Sequence, residues 1–393
     1  MILPLDAGAG GADETPGPVA ARHLYVHIPF CSARCAYCDF ASEPVGPHLR
    51  AGRVGAYFRA LRAELARSAP SLAPVLDTVY VGGGTPTAVP PELLLPWLEE
   101  LGARVAPGGE FTVEANPDTL TLGLLRSLEA CGVTRLSLGV QSFSAELSRN
   151  LGRRITPDRL EAALAALRAA GWREWNLDLV FGIPGQDWPA VAHDLDRAVA
   201  VGPTHISLYD LTYTEAYARL VAARLGEEAR SEAEAFAERH YAEAVARLEA
   251  AGYRRYEVSN FALPGHECRH NLAYWRGCDY VGLGAAAVGT VGGLRRRNPP
   301  TVRGYLAGVA PEEEILTPWV RLFERAMLGL RTAEGVLERE VRPVLDREGV
   351  EVMVERGLLV RRCATLLLSS RGLDLSTAVL AAVLSPAEGR AYP

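Results

Sequence analysis

Residues 24–40 read LYVHIPFCSARCAYCDF, a short β-rich run that leads into three cysteines, Cys31, Cys35 and Cys38, spaced C-x3-C-x2-C. Such a run predicts a strand, and the cysteines predict a loop at its C-terminal end. Five more runs repeat the pattern: TVYVGGG at 78–84, FTVEAN at 111–116, RLSLGVQ at 135–141, NLDLVFG at 176–182 and HISLYDL at 205–211. Helical periodicity fills the gaps, as in VGAYFRALRAELARS (54–68) and PDRLEAALAALRAAG (157–171), the second closed by Gly171 as a C-cap. Strand and helix in strict alternation argue for a parallel α/β sheet with helices outside. Nearly every strand ends in a group able to do chemistry: the cysteines, Gly82 to Thr85, Glu114, Gln141, Asp178 and Tyr209. Strand ends converging on one face mark a TIM-type barrel, and six βα units predict an incomplete (β/α)6 one.

At 393 residues the chain has room for a large domain plus a smaller one. Residues 1–20, rich in Gly, Ala and Pro, predict a disordered tail, residues 21–260 the barrel, and residues 261–393 a smaller, mostly helical C-terminal domain. The change of texture falls near 260–300, across the Gly-rich VGLGAAAVGTVGG and the basic RRRNPP at 295–300. The last segment has a winged-helix-like pattern but no basic recognition face. Hydrophobic residues at 49% and charged ones at 22% are those of a globular chain, and a net charge of −6 gives no reason to expect nucleic acid as a partner. No apolar stretch of about eighteen residues or more occurs, and the first twenty residues hold no Lys or Arg, so the expected location is cytoplasmic. All 41 basic residues are arginine, which excludes Schiff-base, pyridoxal-phosphate and P-loop lysine chemistry.

Seven cysteines, an odd number, argue against a disulfide framework; Cys131, Cys268, Cys278 and Cys363 are scattered. Three thiols on one loop can converge on a metal centre. Zinc would need a fourth ligand, His27 or a distant cysteine. A four-iron cluster held by three thiolates would instead keep one iron open to a small chelating ligand. On spacing alone both stay open.

The cysteine motif, with Tyr37 just before its last cysteine and GGGTP at 82–86 after the next strand, resembles the radical S-adenosylmethionine (SAM) superfamily. YVHIPFC (25–31), GGGTPT, GVQSF (139–143), NLDLVFGIPGQ (176–186) and HISLYDLT (205–212) resemble, more specifically, the oxygen-independent coproporphyrinogen III oxidase family, over most of residues 23–380. The resemblance implies a [4Fe-4S] cluster on Cys31, Cys35 and Cys38 and a SAM site lined by Tyr25, Tyr37, Gly83, Gly84, Thr85, Glu114, Gln141, Arg153 and Asp178. The residue types suit such a cofactor, since carboxylates can accept from ribose hydroxyls or an ammonium, Arg153 can pair with a carboxylate, and glycine backbone can approach the methionyl amine closely.

The family has two branches. Its oxidases resemble C-x3-C-x2-C-x-C, whereas Phe40 stands here at the fourth cysteine position, and HNLAYW at 270–275 resembles the signature of the heme chaperone branch. The resemblance therefore implies a chaperone that binds heme and delivers it to heme-dependent respiratory proteins; the alternative is the oxidase, decarboxylating porphyrinogen propionates. As a chaperone it would use His270 as the heme iron ligand, Tyr274 and Trp275 as faces for the macrocycle, and Arg269 and Arg276 as propionate partners, with His266 and Cys268 as alternative ligands. Ile155, where relatives often carry His, and Val288 and Gly289, where a polar pair is usual, depart from the pattern and are expected near the substrate side. Monomer and homodimer both fit, and peripheral membrane contact stays open, although no basic amphipathic helix points to it.

Overall fold

A computed structural model describes residues 20–45 and 52–385; the expected tail, apart from Ala20, lies outside the described residues. All six expected strands form: β1 (His23–Ile28), β2 (Leu76–Gly83), β3 (Val105–Ala115), β4 (Arg135–Gln141), β5 (Trp175–Phe181) and β6 (His205–Asp210). They lie side by side in chain order, each parallel to the next. Helices α1 (Gly52–Ser68), α2 (Pro91–Gly102), α3 (Leu122–Ala130), α4 (Ala145–Asn150), α5 (Pro157–Ala170), α6 (Trp188–Val201), α7 (Glu215–Leu225) and α8 (Ala229–Ala250) make the crossovers and the outer layer. Polar caps start several of them, with Thr121, Thr156 and Asp187 each accepting from a backbone N–H of the first turn, and Gly171 ends α5 in the left-handed conformation.

Two-residue periodicity sorts β1 cleanly. Leu24, Val26 and Ile28 are fully buried under the helices, while His23, Tyr25 and His27 share the opposite face, toward the barrel interior. The sheet does not close on itself. β6 is flanked by the antiparallel β7 (Asn260–Ala262), and β1 by the parallel β8 (Tyr280–Leu283). Short α9 (Arg269–Trp275) lies between these two added strands in the chain.

From β8 the sheet runs on as an antiparallel meander, β9 (Val288–Val291), β10 (Leu294–Arg297) and β11 (Glu312–Ile315). The basic stretch at 295–297 is thus a strand, and Arg295, Arg296 and Arg297 stand opposite Glu314, Glu313 and Glu312. Opposite charges directly across a ladder stabilise it. Helix α10 (Val302–Leu306) bridges the gap before β11.

A second core begins at α11 (Pro318–Gly329) and is completed by α12 (Glu338–Val341), α13 (Arg347–Glu355), α14 (Ser370–Asp374), α15 (Ser376–Val383) and a three-stranded sheet of β12 (Val336–Leu337), β13 (Leu359–Arg362) and β14 (Thr365–Leu368). This core combines helices with a short hairpin, and the main sheet continues to Ile315 before it starts. Arg255 fastens the two parts. Its side chain is 3% exposed, pairs with Asp374 at 2.6 Å, donates twice to the Val258 carbonyl and lies over Tyr241 and Phe261. Among the described residues no helix is long and apolar enough to cross a membrane.

Candidate functional site

The C-terminal ends of the six strands surround a cavity of about 350 Å³. The loop after β1 brings Cys31, Cys35 and Cys38 to one wall, and the end of β2 and the turn after it add Gly83, Gly84 and Thr85. Glu114 comes from β3, Gln141 from β4, Asp178 from β5 and Arg153 from the loop after α4. Tyr37 also lines it, so eight of the nine expected SAM residues meet in one place together with all three cysteines. Tyr25 does not: its hydroxyl is spent on His27 Nδ1 at 2.9 Å and its ring stacks on Tyr80, behind the wall.

Local backbone explains how these groups are aimed. Gln141 takes a left-handed φ of 70°, rare for a non-glycine residue, where the β4–β5 register slips. Strain of this kind persists where the surroundings over-determine it, often at functional sites. The glycines after β2 serve packing first. A Cβ on Gly82 would strike the Glu114 carboxyl at 2.7 Å, one on Gly83 the His27 ring at 2.4 Å, and one on Gly84 the Phe30 backbone at 2.7 Å.

Glu114 accepts from Tyr80 Oη at 2.8 Å and from the Gly83 N–H at 3.0 Å. Burial, with Asp178 nearby, nevertheless pushes its pKa up to about 7. Asp178 is also raised by burial, partly offset by bonds from Asn176, Ser207 and Ser137. Burial likewise raises all three cysteine thiols, so a cationic centre is what would hold them as thiolates. Arg153 donates to the Gly139 carbonyl at 2.7 Å and to Asn116 Oδ1 at 3.3 Å, while its Nε is buried without a partner. Three thiols, a spare guanidinium N–H and two carboxylates on one cavity wall are the donor types a cluster and a zwitterionic cofactor use, although among the described residues no three Cys, His, Asp or Glu side chains are drawn close enough together to hold a metal ion as they stand.

His270 lies elsewhere, in the barrel interior beneath this cavity. It is 0% exposed, with Nδ1 on Thr78 Oγ1 at 2.7 Å and Nε2 on Tyr274 Oη at 2.8 Å. As folded, the expected heme ligand therefore offers no free lone pair, and burial pushes its pKa down to about 3. Helix α9 has no side-chain cap of its own. Glu110, on β3, supplies one across the fold, accepting from the N–H groups of Arg269 (2.8 Å) and His270 (3.0 Å) and from the Cys268 thiol (3.3 Å). Cys268 is itself fully buried, whereas His266 pairs with Glu174 at 2.8 Å in a half-exposed setting. Arg276 is paired with Glu334 and Arg269 with the Gly108 carbonyl.

Ile155 packs against the main core, Gly289 presses onto the Gly282 backbone, and neither these nor Val288 lines the cavity. Sequence reasoning missed Asn116, Ser137 and Asp210 on the cavity wall, and Glu110 and Tyr80 below it. Asn116 carried a signal, closing FTVEAN at a strand end like the others. Phe40 stands at the cavity rim, 68% exposed.

A model of the radical SAM superfamily matches residues 25–198. The heme chaperone HemW of Mycobacterium tuberculosis is 36% identical, the match covering 94% of this chain and 96% of that protein. The HemW proteins of Bacillus subtilis, at 32% (92% and 99% covered), and Escherichia coli, at 36% (82% and 89%), agree. Among solved structures, the E. coli coproporphyrinogen III oxidase HemN, a radical SAM enzyme, superposes with a TM-score of 0.76 over 92% of this chain and 90% of its own; at 21% identity this shows the shared fold. The protein is thus of the radical SAM class. Within that class the chain belongs to the HemW family of heme chaperones.

Proposed function

We propose that the protein is a cytoplasmic heme chaperone, which binds heme and hands it to heme-dependent respiratory proteins. The observation that carries this reading is the likeness to heme chaperones over 94% of the chain. Phe40 supports it, standing where the oxidases of the family carry a fourth cysteine. In this reading Cys31, Cys35 and Cys38 hold a [4Fe-4S] cluster, and Tyr37, Gly83, Gly84, Thr85, Glu114, Gln141, Arg153 and Asp178 hold SAM beside it. When bound, the pair supplies one-electron chemistry. Arg153 pairs with the cofactor's carboxylate, and Glu114 and Asp178 accept from its hydroxyls and ammonium.

His270 is the heme ligand we favour, and the geometry sets a condition on it. The imidazole must leave Thr78 and Tyr274 before a nitrogen can meet iron, so heme capture includes an opening of α9. His270→Ala is expected to weaken heme binding by tenfold or more (roughly, from the energy of one axial bond), read from the Soret band; unchanged affinity would move the ligand to His266 or another residue. The rival activity has its own assay. Protein with verified cluster content, given SAM, a reductant and coproporphyrinogen III without oxygen, is expected to yield no decarboxylated product. Several turnovers per chain would make it the oxidase.

A further inference from the structure

One side chain touches both ends of the barrel interior. Tyr80, halfway along β2, donates its hydroxyl to Glu114 Oε1 in the cavity wall at 2.8 Å. On the other side its ring stacks on His270, with centroids 5.3 Å apart and planes 28° from parallel. Tyr25 packs against it too, and leads by way of His27 to the Ala41 carbonyl at the end of the cysteine loop. The cavity and the HNLAYW helix therefore share one packed series: Glu114, Tyr80, His270, Tyr274.

What holds His270 inside is the pair of ring hydrogen bonds and the stack on Tyr80; the Tyr80 ring is packed by Tyr25 and the Tyr256–Leu272 cluster, and Glu114 anchors its hydroxyl. A ligand that brings positive charge and hydroxyl donors to Glu114 favours its ionised form. A phenol bonded to a carboxylate is held roughly twice as strongly as one bonded to a neutral acid. The ring is then pinned and the imidazole stays buried. We propose that Tyr80 is a positioning residue through which an occupied SAM cavity keeps His270 in place, so that SAM and heme bind with negative coupling. The inference rests on the reading of His270 as heme ligand. Because binding linkage is reciprocal, heme must weaken SAM by the same factor that SAM weakens heme.

The test is a pair of anaerobic heme titrations of the reconstituted full-length protein, with the cluster left oxidised so that SAM is not consumed. Saturating SAM is expected to weaken heme binding about fivefold or more, the lower end of ordinary coupling between sites. Tyr80→Phe keeps the ring and removes the hydroxyl, so its heme affinity is expected to be the same with and without SAM. Thr78→Val frees His270 from its other side; it should bind heme several-fold more tightly (about one hydrogen bond's worth) while retaining the wild-type SAM factor. That pattern separates loss of coupling from general loosening. A wild-type affinity indifferent to SAM, or a Tyr80→Phe variant with the wild-type factor, would overturn the role of Tyr80 even if His270→Ala shows that His270 binds heme. Heme binding untouched in His270→Ala would overturn the ligand reading and this inference with it.

Discussion

The mouth of the barrel and its interior base are built from the same strands yet are prepared for opposite things. At the mouth, thiols, carboxylates and a guanidinium line an open cavity, and the Arg153 Nε is buried there without a partner while burial raises the Glu114 pKa. At the base every ring nitrogen of His270 is bonded and its helix is capped by a carboxylate from 160 residues away. Unsatisfied polar groups are tolerated where a ligand completes them; satisfied ones must be paid for when broken. The mouth is thus preformed for its cofactors, whereas the base has to be opened.

The sharpest way to break this contrast is at the cysteines. Replacing any one of Cys31, Cys35 or Cys38 by Ala is expected to take iron from about four per chain to nearly none, while urea unfolding of the cluster-free chain stays unchanged, since no contact at the base is lost. Next is Glu110→Ala, which strips α9 of its cap and leaves buried N–H groups unpaired; a loss of about 3 kcal/mol in urea unfolding is expected. A loss under about 1 kcal/mol would show that the base is less tightly closed than its hydrogen bonds imply.

Acid and alkali should also separate the two ends. Imidazole in the unfolded chain takes up a proton near 6.5, whereas folded His270 resists until about 3, so below about pH 6.5 the unfolded state binds more protons. Stability should fall with acid by up to about 1.4 kcal/mol per pH unit for each such group, and His205, likewise pushed down by burial, adds to it. Glu114 has the opposite sign: its pKa is raised, so the folded state keeps a proton until about pH 7. A cationic ligand needs the carboxylate, and SAM affinity is expected to rise about tenfold from pH 6 to pH 8, flattening above, by calorimetry. Glu114→Gln should bind weakly at every pH without that slope. The smallest effect is on stability at Thr78→Val, which should cost about 1 kcal/mol; an effect on folding with none on heme capture would detach His270 from the opening step.

Much of the mouth is legible because the chain announces it at strand ends, where cysteines, glycines and carboxylates interrupt β-rich runs. The base is not, and β1 shows why. In His23-Leu24-Tyr25-Val26-His27 the polar residues alternate with apolar ones, a pattern that ordinarily means one face in water. Here the polar face turns into the barrel, where Tyr25 stacks on Tyr80 and bonds His27. Tyr80 sits inside TVYVGGG and looks like any strand aromatic; its double contact depends on partners 34 and 190 positions away along the chain. Glu110 as a helix cap is invisible for the same reason. Local sequence names a helix start but not a carboxylate arriving from another strand. The strand at 294–297 is hidden within the change of texture near 260–300, because its three arginines carry no strand signal until the glutamates opposite them are known.

Arg255 has a consequence for anyone who would divide the protein. Its guanidinium sits against Tyr241 and Phe261, and its counter-charge, Asp374, lies in the second core. A chain cut after Ile315 would leave that guanidinium without its counter-charge and uncover the wall in which it now packs. The barrel and its C-terminal companion should therefore melt as one cooperative unit, and a fragment ending at the sheet should express poorly however complete its cofactor cavity looks.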